Sequence, residues 1–241
     1  MERPQPPAIS SAPDEQRPST HEAQGFTTAT YAMEIVPVNV WMRRFASVIV
    51  ALLFIFVIAS SPRTLWTDVF IYHPIFMFIA FFAVVPELIF SIAALQGYLR
   101  EMRPRSSMLR VHRRCALTFK IVCAVGIVAV EWSKFKRSKM HFVTWHACIG
   151  GVCELSQVLE TLLGLIIFHG VLDHRLTISQ RATLRLVHRH LGAIVIVTGA
   201  FSMALGMLSH FAVRTFEILF LRLFFAIFPT VFVIWAYFCS L

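Results

Sequence analysis

The segment Leu65–Leu99 constrains this chain most strongly, because it is predominantly apolar and contains no lysine or arginine. A helix of about 20 such residues is long enough to cross the hydrocarbon core of a bilayer. Further apolar stretches follow, and only 15% of the 241 residues are charged, whereas a soluble domain carries about 25%. The sequence therefore predicts an integral membrane protein that crosses the bilayer several times.

Six membrane-spanning helices are predicted, and short loops between them make neighbouring helices antiparallel. The predicted fold class is an all-α membrane protein with six transmembrane helices in an up-and-down arrangement. The spans run from Phe45 to about Ser61, Leu65 to Leu99, Met108 to Val130, His141 to Leu172, Leu184 to Val213 and Thr215 to Leu241. Pro86 is expected to kink the second span, because proline lacks the N–H that a helix interior requires.

The N-terminal segment differs from the rest of the chain in composition. Residues 1–37 are rich in Pro, Ser, Gln and Glu, which do not build a hydrophobic core, so we expect a disordered tail. The segment is too polar for a signal peptide. Residues 38–241 are predicted to form one membrane domain, inserted by its first hydrophobic helix.

The distribution of basic residues predicts the orientation. The end that holds the tail and the loops after spans two and four carries twelve arginines besides those within the tail, namely Arg43, Arg44, Arg100, Arg103, Arg105, Arg110, Arg113, Arg114, Arg175, Arg181, Arg185 and Arg189. The opposite end carries six basic residues, Arg63, Lys134, Lys136, Arg137, Lys139 and Arg214. The positive-inside rule therefore predicts that both termini are cytosolic. The loop arginines also account for the net charge of +9, so no nucleic-acid partner is expected.

Four of the ten histidines lie one or two turns inside the ends of the middle spans. His73 and His146 lie near the starts of spans two and four, which run in the same direction, so both are expected near the non-cytosolic face. His112 and His188 lie near the starts of spans three and five, at a matching depth near the cytosolic face. Each position is a functional candidate, because an ionisable side chain is costly inside hydrocarbon.

Two facing imidazoles at one depth can bind one iron from opposite sides of a flat macrocycle, and helical bundles hold such cofactors. The two pairs therefore predict two non-covalent b-type haems, with iron atoms on the order of 15–20 Å apart. A zinc ion fits less well, because it takes about four ligands around one ion. The simpler alternative is that each histidine only bonds a neighbouring carbonyl.

The run KMHFVTWHAC, residues 139–148, contains two histidines five residues apart. On one helix they would point about 140° apart and could not easily share a metal. His146 is the candidate ligand, because it lies one turn deeper. His141 is expected at the aqueous rim, where it is a candidate for binding or protonating an electron acceptor. A solvated rim histidine without a role is the alternative.

Three motifs form an ordered set along the chain. They are HPIFM at 73–77, HFVTWH at 141–146, and LVH at 186–188 followed by Gly192, Gly199, Ser202, Gly206 and Met207. The set resembles the eukaryotic cytochrome b561 family, in particular its cytochrome b561 domain-containing branch of two-haem transmembrane reductases. Glu87, fourteen residues after His73, also fits that family, and the resemblance covers about residues 40–238.

The resemblance implies that spans two to five form a four-helix bundle around two b haems. The implied axial ligands of the haem irons are His73 with His146, and His112 with His188. The implied activity is that of an ascorbate-dependent oxidoreductase. It passes electrons from cytosolic ascorbate to monodehydroascorbate or ferric iron on the other side of the membrane.

Ascorbate is an anion, so its site needs fixed positive charge at the cytosolic rim. Arg110 and Arg185, a few residues before His112 and His188, resemble basic positions of the family. Anchoring to lipid headgroups is their alternative role. The expected partners are ascorbate, monodehydroascorbate or a ferric chelate, and the lipid bilayer, with a homodimer left open. An endomembrane or vesicle, the endoplasmic reticulum and the plasma membrane are not distinguished.

The sequence departs from the family pattern around the cytosolic pair. Arg113 and Arg114 follow His112 where the family usually has an apolar residue, and Val187 replaces the usual tyrosine before His188. His190 is an extra histidine, and residues two apart on a helix lie about 200° apart, so only one can face a haem. The downstream glycine spacing favours His188.

Two other functions are compatible with the same residues. A haem-bearing anchor subunit of a larger redox complex would share the histidines but need a partner to supply electrons. A transporter whose histidines relay protons would bind no haem. Glu154, Glu160 and Lys120 lie within predicted spans, and the sequence assigns them no role.

Overall fold

The computed structural model describes residues 44–96, 105–168 and 175–238. Two compact units are distinguished, Met1–Phe45 and Ala46–Leu241, and the second contains the helical bundle. The predicted disordered tail, residues 1–37, lies outside the described residues. Within the described ranges all regular elements are helices and no strand occurs, which confirms the all-α prediction.

Eight α-helices are labelled in chain order. They are α1 (Arg44–Ser60), α2 (Tyr72–Ile79), α3 (Val85–Gln96), α4 (Arg105–Lys136), α5 (Trp145–Phe168), α6 (Ile178–Gly206), α7 (His210–Thr215) and α8 (Leu219–Phe238). Four segments of the described chain are long and apolar enough to cross a membrane: Val69–Ile92, Ser106–Lys136, Trp145–Ile167 and Ile178–Gly206. They correspond to predicted spans two to five. Two shorter apolar helices, α1 and Leu219–Ile234 within α8, occupy the positions of predicted spans one and six. Their membrane crossing remains a prediction.

The second span begins later than predicted and is not one regular helix. Asp68 caps its first turn by accepting a hydrogen bond from the backbone N–H of Phe70, so the span starts at Val69 rather than Leu65. Residues Ala80–Val84 form a π-helical turn between α2 and α3. This wider turn ends just before Pro86, whose ring would meet the carbonyl four residues back in a regular α-helix.

The fourth predicted span also begins later than its apolar run. Helix α5 starts at Trp145, and Phe142 has a positive φ of 54°, which a helix cannot contain. Thr144 provides a polar start, since its Oγ1 accepts a hydrogen bond from the N–H of Ala147. His141 therefore lies in the loop before the helix, and the expected 140° angle between two helical histidines does not apply.

The fifth predicted span starts earlier and ends earlier than expected. Thr177 and Gln180 form a capping box that starts α6 at Ile178 rather than at Leu184. This Thr-x-x-Gln pattern is a recognisable helix-start signal in the sequence. The helix ends at Gly206, and Ser209 caps a separate short helix, α7, so the chain up to Val213 is not one span.

The helices pack in two adjacent pairs. Helix α4 lies against α2 and α3, helix α5 lies against α6, and α8 covers α3 and α6. A buried layer joins both pairs midway along the bundle and includes Phe81, Phe119, Cys123, Cys153 and Val195. A Cβ on Gly199 of α6 would overlap the ring of Phe81, so the close approach at this layer depends on a residue without a side chain.

Candidate cofactor site between paired histidines

The structure brings the four predicted histidines together as two pairs at opposite ends of the bundle. The His141 end comprises residues 61–68, 137–144 and 207–209, and the Arg110 end comprises the starts of α4 and α6. His73 of α2 faces His146 of α5 near the His141 end, with ring centroids 6.1 Å apart. His112 of α4 faces His188 of α6 near the Arg110 end, with ring centroids 6.5 Å apart.

These separations fit two imidazoles that share one metal atom. A metal–nitrogen bond of about 2 Å plus about 1.1 Å from nitrogen to ring centre puts two such rings about 6.2 Å apart. The ring planes are 74° and 76° apart in the two pairs. Among the described residues no group of three or more His, Cys, Asp or Glu converges on one metal position. Each pair thus offers two imidazole nitrogens to one metal atom.

Backbone carbonyls hold both histidines of the pair near the His141 end. His73 Nδ1 lies 3.0 Å from the carbonyl oxygen of Gly126, and His146 Nδ1 lies 2.8 Å from that of Ser202. A carbonyl can only accept, so Nδ1 carries the proton in each ring. Nε2 is then the nitrogen suited to a metal, which is the tautomer that metal-binding histidines usually have.

Side-chain oxygens take part in holding the other pair. His112 Nδ1 lies 3.3 Å from Ser91 Oγ, and that hydroxyl donates its own proton to the carbonyl of Leu88 at 2.6 Å. The serine oxygen therefore accepts from the imidazole. His188 Nδ1 lies 3.3 Å from the backbone oxygen of Glu160 and 3.4 Å from its carboxylate oxygen Oε1. All four rings thus present the same tautomer.

Three helices carry a ligand candidate and a hydrogen-bond acceptor at the same spacing. Fourteen residues separate His112 from Gly126, His146 from Glu160, and His188 from Ser202. Fourteen residues make almost four helical turns, so both groups lie on nearly the same face and roughly 21 Å apart. Each helix therefore presents an imidazole at one end and orients its neighbour's imidazole at the other end.

Two glycines allow α5 and α6 to approach the histidine rings closely. A Cβ on Gly164 would lie 3.4 Å from His188 Cε1, and a Cβ on Gly206 would lie 3.3 Å from His146 Cε1. Each glycine follows the acceptor residue of that ring, Glu160 or Ser202, by four positions. Sequence reasoning did not identify this acceptor-plus-glycine pattern, although its constant spacing is visible in the sequence.

His141 is not part of either histidine pair. Its Nδ1 lies 2.6 Å from Glu131 Oε2, and both side chains are about half exposed. Glu131 also pairs with Lys134 at 3.0 Å, and the Lys134 ammonium lies 6.0 Å from the ring centre of Phe142. The structure therefore places His141 in a half-exposed position with a carboxylate partner that the sequence did not predict.

A polar cavity lies at the same end of the bundle. It has a volume of about 230 Å³ and is lined by Thr67, Asp68, Val69, Ser133, Lys136 and Arg137. Arg137 donates to Asp68 at 2.6 Å across the cavity wall. Sequence reasoning missed this cavity, because its walls come from the end of α4 and from the loop before the second span.

The residues predicted near ascorbate lie at the opposite end. Arg110 and Arg185 are both exposed and lie within about one turn of His112 and His188, respectively. Arg110 donates to Ser107 Oγ at 3.3 Å. His190, the other candidate for the second pair, is exposed, whereas His188 faces His112.

Comparison with known proteins bears directly on these histidines. The family model of eukaryotic cytochrome b561 matches residues 72–214, which is more than half of the chain and contains all four paired histidines. This chain belongs to the eukaryotic cytochrome b561 family. The cytochrome b561 fold of helices around haem b accords with the four long apolar helices and with two-nitrogen sites. Membership identifies the chain as a haem-dependent oxidoreductase of the membrane.

A named relative supports the same branch of cytochrome b561 proteins. The chain is 28% identical over 175 residues to the probable transmembrane reductase CYB561D1 of Mus musculus, covering 70% of this chain and 73% of the relative. The predicted resemblance to the b561 domain-containing branch is thereby confirmed. No solved structure matches the chain.

Proposed function

We propose that this cytochrome b561 conducts electrons across a membrane between two b-type haems, from ascorbate in the cytosol to monodehydroascorbate or ferric iron on the other side. The observation that carries the proposal is the presence of two imidazole pairs, with centroids 6.1 and 6.5 Å apart, at opposite ends of one bundle. Both spacings suit two axial ligands of one iron.

The protein's contribution is to fix four imidazoles in position and protonation state. Each Nδ1–H is held by an acceptor on a neighbouring helix, so each Nε2 is directed at the facing ring. A b-type haem held in this way supplies reversible one-electron chemistry at its iron. Phe81 and Phe119 belong to a buried apolar layer between the two sites.

The Arg110 end is proposed to be cytosolic and to receive ascorbate. Arg110 and Arg185 are exposed there beside the second histidine pair, and a guanidinium can bind two adjacent oxygens of an anion. The excess of arginines at the same end supports the orientation with both termini in the cytosol.

The His141 end is proposed to deliver electrons to the acceptor. His141 is held by Glu131 at 2.6 Å, so it can take a proton from, or give one to, an acceptor at the rim. The cavity at the same end is lined by Lys136 and by Arg137, which pairs with Asp68. Its lining therefore keeps one more positive than negative charge, which supports an anionic acceptor. Both monodehydroascorbate and a carboxylate-chelated ferric ion are anions.

The decisive experiment is an ascorbate titration of the purified chain, followed by reduced-minus-oxidised absorption spectra and a haem-to-protein ratio. We expect two haems per chain, both reduced by ascorbate without another protein. A ratio of one or zero would contradict the two-haem proposal. Two haems that ascorbate leaves oxidised would favour an anchor subunit that needs a partner for its electrons.

A further inference from the structure

A charged pair adjoins one of the four histidines inside the bundle. Glu160 Oε2 lies 2.8 Å from the ammonium of Lys120 on α4, and the two side chains are 14% and 21% exposed. The other carboxylate oxygen, Oε1, lies 3.4 Å from His188 Nδ1. Lys120, Glu160 and His188 therefore form a continuous chain of contacts across α4, α5 and α6.

The position of this pair requires an explanation beyond stability. Charged side chains within membrane spans are costly and usually functional, and a buried ion pair contributes little net stability compared with apolar residues of similar size. Lys120 compensates the charge of the carboxylate from the α4 side. Glu160 is thus kept close to the ring of His188 although both lie within spans.

Among the described residues, no carboxylate contact is found at Nδ1 of the other three histidines. His73 and His146 donate to backbone carbonyls, with the Ser202 hydroxyl also 3.2 Å from His146 Nδ1, and His112 donates to a serine hydroxyl. The hydrogen bond of His188 Nδ1 goes to the Glu160 backbone carbonyl, and the Glu160 carboxylate lies beside it at 3.4 Å. A carboxylate close to Nδ1–H makes Nε2 a stronger electron donor than neutral neighbours alone do. Stronger donation stabilises ferric over ferrous iron.

We propose that Glu160, held by Lys120, is a positioning residue that lowers the reduction potential of the site between His112 and His188 and leaves the other site unaffected. This inference rests on the proposed function, since it requires iron bound between each histidine pair. It assigns a role to Lys120 and Glu160, two charged residues that have none from the sequence alone.

The test is Glu160→Gln, which keeps the shape of the side chain and removes its charge. The purified, haem-loaded variant is titrated potentiometrically, and the low-spin ferric signals of its haems are recorded by electron paramagnetic resonance. We expect the reduction potential of the haem between His112 and His188 to rise by about 59 mV. This shift is a tenfold change in the ferric-to-ferrous ratio at a fixed solution potential. The signal of the same haem should change, and the other couple should stay in place.

Two further variants keep the test decisive. If the single variant folds poorly, Lys120→Gln combined with Glu160→Gln replaces it. This double variant removes both charges without leaving an unpaired ammonium, and it should raise the reduction potential of the same haem. Glu154→Gln removes a carboxylate six residues earlier on α5, on a different face, and should leave the reduction potentials of both haems unchanged.

The outcomes separate this inference from the proposed function. Two haems per chain with neither couple shifted in the charge-removing variants would overturn the role of Glu160 alone. An equal shift of both couples, or the same shift in Glu154→Gln, would also overturn it, because the effect would then be a general change of charge. Fewer than two haems in the unaltered chain would overturn the proposed function, and this inference with it.

Discussion

The two histidine pairs have nearly the same ring geometry but different surroundings. Around His73 and His146 all the acceptors among the described residues are neutral, namely two backbone carbonyls and the Ser202 hydroxyl. Around His112 and His188 a hydroxyl and a backbone carbonyl accept, and a glutamate carboxylate that is paired with a lysine lies beside them. Similar ligand spacing therefore does not imply similar electronic properties. The comparison indicates that this fold repeats one ligand arrangement and adjusts each copy through the groups behind the rings.

The largest expected effect comes from removing one histidine of either pair. His146→Ala or His188→Ala should each reduce the haem-to-protein ratio from two to one, because a single imidazole leaves one axial position of the iron without a protein ligand. The ratio is measured by a pyridine haemochrome assay on purified protein. His141→Ala and His190→Ala are the matched controls and should retain two haems. Loss of haem from a control would show that the assignment of the axial ligands to the paired histidines is wrong.

A change between the two pairs should affect both sites alike. Gly199→Ala introduces a Cβ that overlaps the ring of Phe81, and such overpacking typically costs about 1–3 kcal/mol. We expect a lower midpoint of thermal unfolding in detergent and parallel loss of both haem signals. Adding Phe81→Leu should restore part of the stability. If one haem signal were lost well before the other, the layer would not serve both sites.

Removing the two arginines beside the second histidine pair should weaken the reduction of the haems by ascorbate without removing haem. Arg110→Ala combined with Arg185→Ala should raise the ascorbate concentration for half-maximal haem reduction by about tenfold, the loss of roughly one charge-assisted hydrogen bond. The haem ratio should stay at two. Arg175→Ala combined with Arg189→Ala removes two charges from the same end and serves as the control. Equal effects of both double variants would indicate general electrostatic attraction rather than a site.

The smallest expected effect is at the His141 rim. His141→Ala should slow electron delivery to a ferric chelate by roughly fivefold, which corresponds to about 1 kcal/mol, while reduction of the haems by ascorbate remains normal. Glu131→Gln should act in the same direction, because it removes the partner of His141. Stopped-flow reoxidation of the reduced protein provides the measurement. An unchanged rate in both variants would leave His141 as a solvated surface residue.

Errors in the predicted boundaries have local physical causes. Hydropathy alone extended the fifth span to Val213 and missed its start, because the capping box of Thr177 and Gln180 is polar. The fourth span was started at His141, since the positive φ of Phe142 leaves no hydropathy signal. Chain segments that are equally apolar can thus be loop or helix, and the choice depends on caps and turns.

The sequence by itself determined the family, the four long apolar spans and the four histidines that face one another, because span direction and depth follow from the order of apolar and charged segments. Only the tertiary structure decided what lies behind each ring. The carbonyls that accept from His73 and His146 belong to the backbone, which every residue has, so residue type does not mark them. The Ser202 hydroxyl, 3.2 Å from His146 Nδ1, is the exception. The contact of Glu160 with Lys120 and His188 joins three helices, and only the packing of those helices determines which charged side chain meets which ring.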